Sequence, residues 1–255
     1  MAAPHRYAAA FAAAAAVYDQ GRAPFGPQTV AALGLPAGGR VLDLAAGTGL
    51  ASRALVAAGF EVVAVEPLAE MRARLATAAP AVEVLDGTAE AIPLAADSVD
   101  GVVVSDAFHW FDAAGAVAEI ARVARPGARV ALLWRWTDWP PEAEGGPRWA
   151  ARVTERLSAL RGDHPAFRVG RDRPAPDGFD ASGCFDAFEQ VTVRFTVPVD
   201  RADVLAGVAS ISFVAAMEEP NRRELLAAVG DDFEREAVDR TLQPYRADVW
   251  RTRRR

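Results

Sequence analysis

Hydrophobic positions along this chain follow two patterns that alternate with each other. From residue 39 onward, short runs dense in Val and Leu are separated by longer segments whose apolar side chains recur on one face. Runs of the first kind suit strands buried on both faces, and those of the second suit crossover helices. The pattern predicts strands at 40–44, 61–65, 82–85, 99–104 and 128–134. It predicts helices at 50–58, 68–78 and 113–123, the last stopped by Pro126 and Gly127. Such alternation is the mark of a parallel sheet covered by helices on both sides.

After Trp139 the punctuation changes. Pro140, Pro141, Gly145, Gly146 and Pro147, then Pro174, Pro176 and Gly178, bracket a segment whose regular part is a helix at 149–160. This reads as an insertion that forms a lid. Residues 189–199 alternate as a strand, 203–217 and 221–242 read as helices, and 245–251 as a last strand. The expected fold is α/β, a Rossmann-like, doubly wound, mostly parallel seven-stranded sheet with a helical lid insertion. One domain spans 1–255, with an N-terminal helical cap at 1–38, a cofactor-binding core at 39–136, a lid or acceptor-binding insertion at 137–188, and strands and helices completing the sheet at 189–255.

Composition narrows the partners. The 255 residues, 51% hydrophobic, suffice for one substantial core. With 28 basic against 34 acidic side chains the net charge is -6, so no global positive field exists to hold a polyanion, and nucleic acid is not expected. The terminal Arg251, Arg253, Arg254 and Arg255 read as a solvated basic end. One cysteine, Cys184, and three histidines suit a cytoplasmic, metal-free protein. The absence of lysine removes Schiff-base chemistry and the phosphate-binding loop of the GxxxxGK type. The nearly apolar opening at 7–16 reads as an alanine-rich helix rather than a leader. No run of about 18 strongly apolar residues predicts a membrane span. A monomer or homodimer is expected.

The most informative segment is Val41-Leu42-Asp43-Leu44-Ala45-Ala46-Gly47-Thr48-Gly49, a buried strand running into a Gly-rich turn and a helix start. In a doubly wound sheet this is the crevice where ligands bind, and glycines there admit close approach of a ligand to the backbone. A dinucleotide site wants Gly-x-Gly-x-x-Gly or Ala, and here Ser52 holds the third place. Asp43 at the end of one strand and Glu66 at the end of the next add carboxylates able to accept hydroxyls of a ribose. Glu66 by itself would serve NAD equally well.

In order along the chain, these motifs resemble the class I S-adenosylmethionine-dependent methyltransferases, in particular the small-molecule group that includes the ubiquinone-biosynthesis and trans-aconitate enzymes. The resemblance rests on residues 41–49, then Val65-Glu66-Pro67, residues 87–94, Ser98-Val99-Asp100, residues 107–112 and residues 119–127. It implies S-adenosylmethionine as the cofactor. It further implies that Asp43, Ala45, Gly47 and Gly49 shape the methionine side, that Glu66 binds the ribose diol beside Pro67, and that Thr88 and Ala89 border the adenine. Ser105, Ala107 and Phe108 would form the pocket floor, and Tyr18 and Arg22 would close over the cofactor.

Methyl transfer needs mainly orientation of two partners, so a strong base is not obligatory. His109 is placed to take a proton from a hydroxyl acceptor, or else to hold its loop by a hydrogen bond. Aromatic rings from Tyr18, Phe108 and Trp110 are candidates to face the sulfonium or simply to fill the core. Trp110, Trp136, Trp139, Phe213 and Met217 are the expected acceptor residues, with Arg135 offered to an acceptor carboxylate. The expected reaction is methylation, favoured at oxygen, of an apolar or aromatic metabolite. An NAD(P)-dependent oxidoreductase and a non-catalytic cofactor-binding module are the alternatives.

Overall fold

In the computed structural model, which describes residues 19–160, 178–236 and 239–255, the sheet is built outward from its central strand. Strand β1 (Arg40–Leu44) is apolar on both faces because helices cover both. It pairs in parallel with β2 (Glu61–Val65) on one side, Leu42 opposite Val63, and with β4 (Val99–Ser105) on the other, Leu42 opposite Val102. The chain runs outward from β1 to β2 and β3 (Glu83–Leu85), then returns across the sheet to β4 and β5 (Ala124–Thr137). Strand β7 (Thr241–Arg253) enters antiparallel between β5 and β6 (Glu189–Val199), giving the order β3-β2-β1-β4-β5-β7-β6. The sheet is therefore mixed and mostly parallel. Reversal of chain direction between β1 and β4 opens a crevice at their carboxyl ends, the switch point where such folds bind ligands.

On one face α1 (Pro27–Ala32), α2 (Leu50–Ala57) and α3 (Ala69–Ala78) bury Val30, Leu55 and Leu75 against Val41, Val103 and Leu133. On the other, α4 (Ala113–Val123) buries Val117 and Ile120 with Val102, Leu132 and Trp134, joined by Phe179 of α6 (Phe179–Ser182). A third apolar cluster lies apart from the sheet faces. In it α5 (Arg148–Leu160) sets Trp149 and Val153 against α7 (Arg201–Ala209), α8 (Ser212–Ala215) and α9 (Glu219–Glu234). The helical layer beside the crevice thus draws on two separate stretches of chain, the expected insertion and the connection between β6 and β7.

Several boundaries move for identifiable reasons. Strand β5 runs on to Thr137 because β7 supplies a ladder partner from Arg129–Arg253 to Thr137–Tyr245, and it starts at Ala124, which pairs with Val99 of β4; β7 starts at Thr241, opposite Val199 of β6. The basic end, expected to be solvated, is exposed at Arg253 and Arg255 but tied down by ion pairs and hydrogen bonds. Arg251 donates to both Glu189 oxygens and to Ala32 O, Arg254 to Ala124 O and Asp97, and Arg255 to Asp186. The helix expected at 203–217 is two helices with an extended Ile211 between them, the first opened by a reciprocal capping box of Asp200 and Asp203. The one expected at 221–242 ends at Glu234, since Thr241 and Leu242 belong to β7. The predicted helix at 7–16, Tyr18 and lid residues 161–177 lie outside the described residues. No described helix is long and apolar enough to cross a membrane.

Candidate functional site

Strand β1 delivers the chain into a turn whose backbone is left-handed at Ala45, Gly47 and Gly49 before α2 begins. Gly49 is required twice over: its φ is +84°, and a Cβ there would stand 2.7 Å from Leu75 Cγ. At Gly47 the direction a Cβ would take is open for at least 4 Å. The Gly47 N–H donates to Glu66 Oε2 at 2.9 Å, and the Leu68 N–H donates to Oε1 at 2.9 Å. Glu66 is 5% exposed, and burial pushes its carboxyl above the usual range against the pull of those two N–H groups. Each oxygen still has acceptor capacity for a hydroxyl.

Asp43 acts on the turn from within the protein. Its side chain lies beneath the turn, 1% exposed, and Oδ2 accepts the Ser52 hydroxyl at 2.6 Å. Desolvation there raises its pKa to about 6. Ser52, which looked like a flaw in a dinucleotide motif, is thus what ties α2 to β1. Thr48, almost fully buried, donates its hydroxyl to Asp19, whose other oxygen accepts Arg53 Nη1 at 2.9 Å.

Across the crevice β4 ends at Ser105, whose buried Oγ finds no hydrogen-bond partner among the described residues. Asp106 follows with φ +53°, then Ala107 and a 3₁₀ turn over Phe108–Trp110. Ala107 and Phe108 are buried, with Phe108 in edge or tilted contact with Phe111 and Phe179. Pro67 and Thr88 are exposed and Ala89 is buried. The structure therefore gathers Gly47, Gly49, Glu66, Ser105 and Ala107 at the ends of β1, β2 and β4.

Arg135 departs from its expected role. Its Nε and Nη2 donate to Asp106 Oδ2 at 3.0 and 2.7 Å, its Nη1 donates to Ala23 O, and its guanidinium lies 4.2 Å over the Phe25 ring. With the side chain 6% exposed, these donors are committed inside the protein rather than offered to an acceptor. Burial pushes the Asp106 carboxyl up, but the charges of Arg135 and Arg22 outweigh it and hold the carboxyl below the ordinary value. Sequence reasoning put Asp106 within the pocket-floor stretch from Ser105 to Phe108 but not against Arg135, because that partner comes from a different strand. Arg22 itself donates from Nη2 to Ser210 O at 3.1 Å.

The expected acceptor residues divide between two apolar clusters. Trp136 packs with the α4 face of the sheet, while Trp139, Phe213 and Met217 belong to the helical layer of α5 and α7 to α9. Trp110 packs against both and so marks their seam. His109 is half-buried beside it, ring centroids 4.8 Å apart. Within the layer, Trp149 meets Trp139 and Phe233 edge-on at 5.4 and 5.0 Å. No group of three or more His, Cys, Asp or Glu among the described residues is placed to hold a metal.

Known proteins bear on this geometry. Residues 42–132 match the model of a methyltransferase domain. An uncharacterized methyltransferase of Mycobacterium tuberculosis is 47% identical over 128 residues, covering 50% of this chain and 53% of that protein. A methyltransferase-like protein of Schizosaccharomyces pombe is 36% identical over 128 residues, covering 50% and 48%. The chain spans about half the length of the curated relatives it matches. Among solved structures, a candidate type II methyltransferase from Anaeromyxobacter dehalogenans superposes with a TM-score of 0.63 at 25% identity, covering 91% of this chain and 97% of that one. The sheet order, the Gly-rich turn with its facing Glu66 and these matches agree that residues 42–132 carry a methyltransferase domain, of the class I S-adenosylmethionine-dependent kind.

Proposed function

We propose that this protein transfers a methyl group from S-adenosylmethionine to a small-molecule acceptor with an apolar or aromatic body, at an acceptor oxygen. The observation that carries the reading is the pairing of Gly47 with Glu66 across the β1–β2 ends, with open space above Gly47 and the unpartnered Ser105 hydroxyl opposite. These groups suit an adenosyl ligand: Glu66 for the ribose diol, the Gly47 and Gly49 backbone and Ser105 for the methionine portion, Ala89 for the adenine. When bound, the cofactor supplies an activated methyl on a positively charged sulfur.

The protein's own contribution is to hold an acceptor in line, and proximity of this kind is worth about 7–11 kcal/mol. Trp110, at the seam of the two apolar clusters, offers its face to that charge at about 0.5–2 kcal/mol. His109 on the same 3₁₀ turn takes the proton from a hydroxyl acceptor. The aromatic residues of the helical layer favour an apolar body over a polyanion, consistent with the acidic composition.

Calorimetric titration with S-adenosylmethionine, S-adenosylhomocysteine and NAD(H), repeated on Glu66→Ala, tests this. Binding of the adenosyl ligands alone, weakened by the substitution, supports the reading. Binding of NAD(H) alone would leave only the fold standing. With the cofactor established, acceptor screening with His109→Gln follows: a kcat lowered about 100-fold supports the proton-accepting role, and an unchanged kcat removes it.

A further inference from the structure

One short stretch, residues 19–25, touches both sides of the crevice. At its start Asp19 accepts the Thr48 hydroxyl with one oxygen and Arg53 Nη1 with the other, so it grips the cofactor turn and the first turn of α2 together. Two residues on, Gly21 lies backbone to backbone against α7: a Cβ at Gly21 would stand 2.2 Å from Ala206 O and 2.7 Å from Gly207 N. No side chain fits there, and neither neighbour is a flexible tip able to yield. Arg22 then reaches Ser210 O in the turn that separates α7 from α8, the helix that carries Phe213. At its far end the stretch is fixed to the sheet, with Ala23 O and the Phe25 ring held by Arg135, itself locked to Asp106.

Thr48 stands between the two glycines of the turn, so any ligand that settles the turn also settles the oxygen Asp19 holds. From there the path to α7 is two residues of backbone. We propose that residues 19–25 are a clasp through which occupancy of the cofactor turn orders the acceptor-side helices, with Asp19 and Gly21 as its positioning residues. This rests on the cofactor reading above. The consequence is ordered binding: the acceptor layer is fully assembled only after the cofactor is seated.

Amide hydrogen exchange on the whole chain, with and without saturating S-adenosylhomocysteine, tests it. In the parent protein exchange slows about tenfold at 46–53 and also at 204–216, which the ligand need not touch. Asp19→Ala changes a partly exposed side chain outside the apolar clusters, so the fold survives. In that variant protection persists at 46–53 and is lost at 204–216. Gly21→Ala, which forces the stretch off α7 by another route, has the same effect. Protection at 46–53 without any at 204–216 in the parent overturns the clasp and leaves the cofactor reading intact. Protection at 204–216 that survives both substitutions also overturns it. Absence of protection at 46–53 overturns the cofactor reading, and the clasp with it.

Discussion

The two sides of the crevice are assembled by different means. On the side of the Gly-rich turn the contacts are short in sequence: the Ser52 hydroxyl reaches Asp43 nine residues away, and the Gly47 N–H reaches Glu66 nineteen residues away. In the helical layer they are long in sequence. Trp149 and Glu236 are 87 residues apart, and Arg156 and the fully buried Asp232 are 76 apart. A turn built from main chain needs glycines and two carboxylates and tolerates little else. A layer built from side chains packed across distant helices can be refilled with other apolar residues of similar volume. Under the proposed function, recognition of the cofactor would be a property of local geometry, and recognition of the acceptor a property of packing.

Damage to one side should reach the other only through residues 19–25, and so in attenuated form. The largest expected effect is on the acceptor side, where Phe233→Ala should cost about 3–5 kcal/mol of stability in urea unfolding, because Phe233 is almost wholly enclosed. Affinity for S-adenosylhomocysteine under folding conditions should survive; an equal collapse of that affinity would show that the two sides are not separable. Glu66→Ala strikes the other side and should weaken the same ligand about 100-fold, since hydrogen bonds to a charged group contribute about 1.5–3 kcal/mol each. Its unfolding midpoint should move far less than that of Phe233→Ala.

Asp43 yields a prediction of intermediate size with a definite sign. Its folded pKa of about 6 lies above the ordinary 3.8, so the folded state holds this proton more tightly than the unfolded chain. Stability contributed by the group is greatest below the unfolded value, falls as pH rises from about 4 to 6, and stays low above that. Asp43→Asn removes the penalty and should stabilise the protein at pH 7 by on the order of 2–3 kcal/mol, flattening the pH profile across that window. A steeper loss of stability at neutral pH in the variant would refute this. The smallest effect belongs to Ser105→Ala. Removal of a buried hydroxyl that has no partner should leave the free protein as stable or slightly more so, while S-adenosylhomocysteine binds about fivefold more weakly. Unaltered binding would remove Ser105 from the pocket.

Much of this molecule was legible before any coordinates. Strands at 40–44, 61–65 and 189–199 and the helix at 113–123 emerge with the bounds expected from pattern, because alternation and breakers act within a few residues. The Gly-rich turn and Glu66 were legible for the same reason: a positive φ favours glycine, and Glu66 directly follows a strand whose end the pattern marks. The partners of Asp106, Asp19 and Gly21 were not. Nothing in the residues around Asp106 announces Arg135, and a glycine at 21 looks like any loop glycine until α7 is laid against it.

The sequence by itself determined the fold class, the place of the Gly-rich turn and the resemblance to methyltransferases, since each is encoded in spacings short enough to survive without knowledge of what packs where. Only the tertiary structure decided that Arg135 is an internal anchor, that Arg251 and Arg253 belong to a strand, and that the helical layer is shared by α5 and the β6–β7 connection. Each of those depends on a partner brought from far along the chain. A charged side chain has no intrinsic preference for ligand over protein until burial removes water and leaves it the nearest opposite charge.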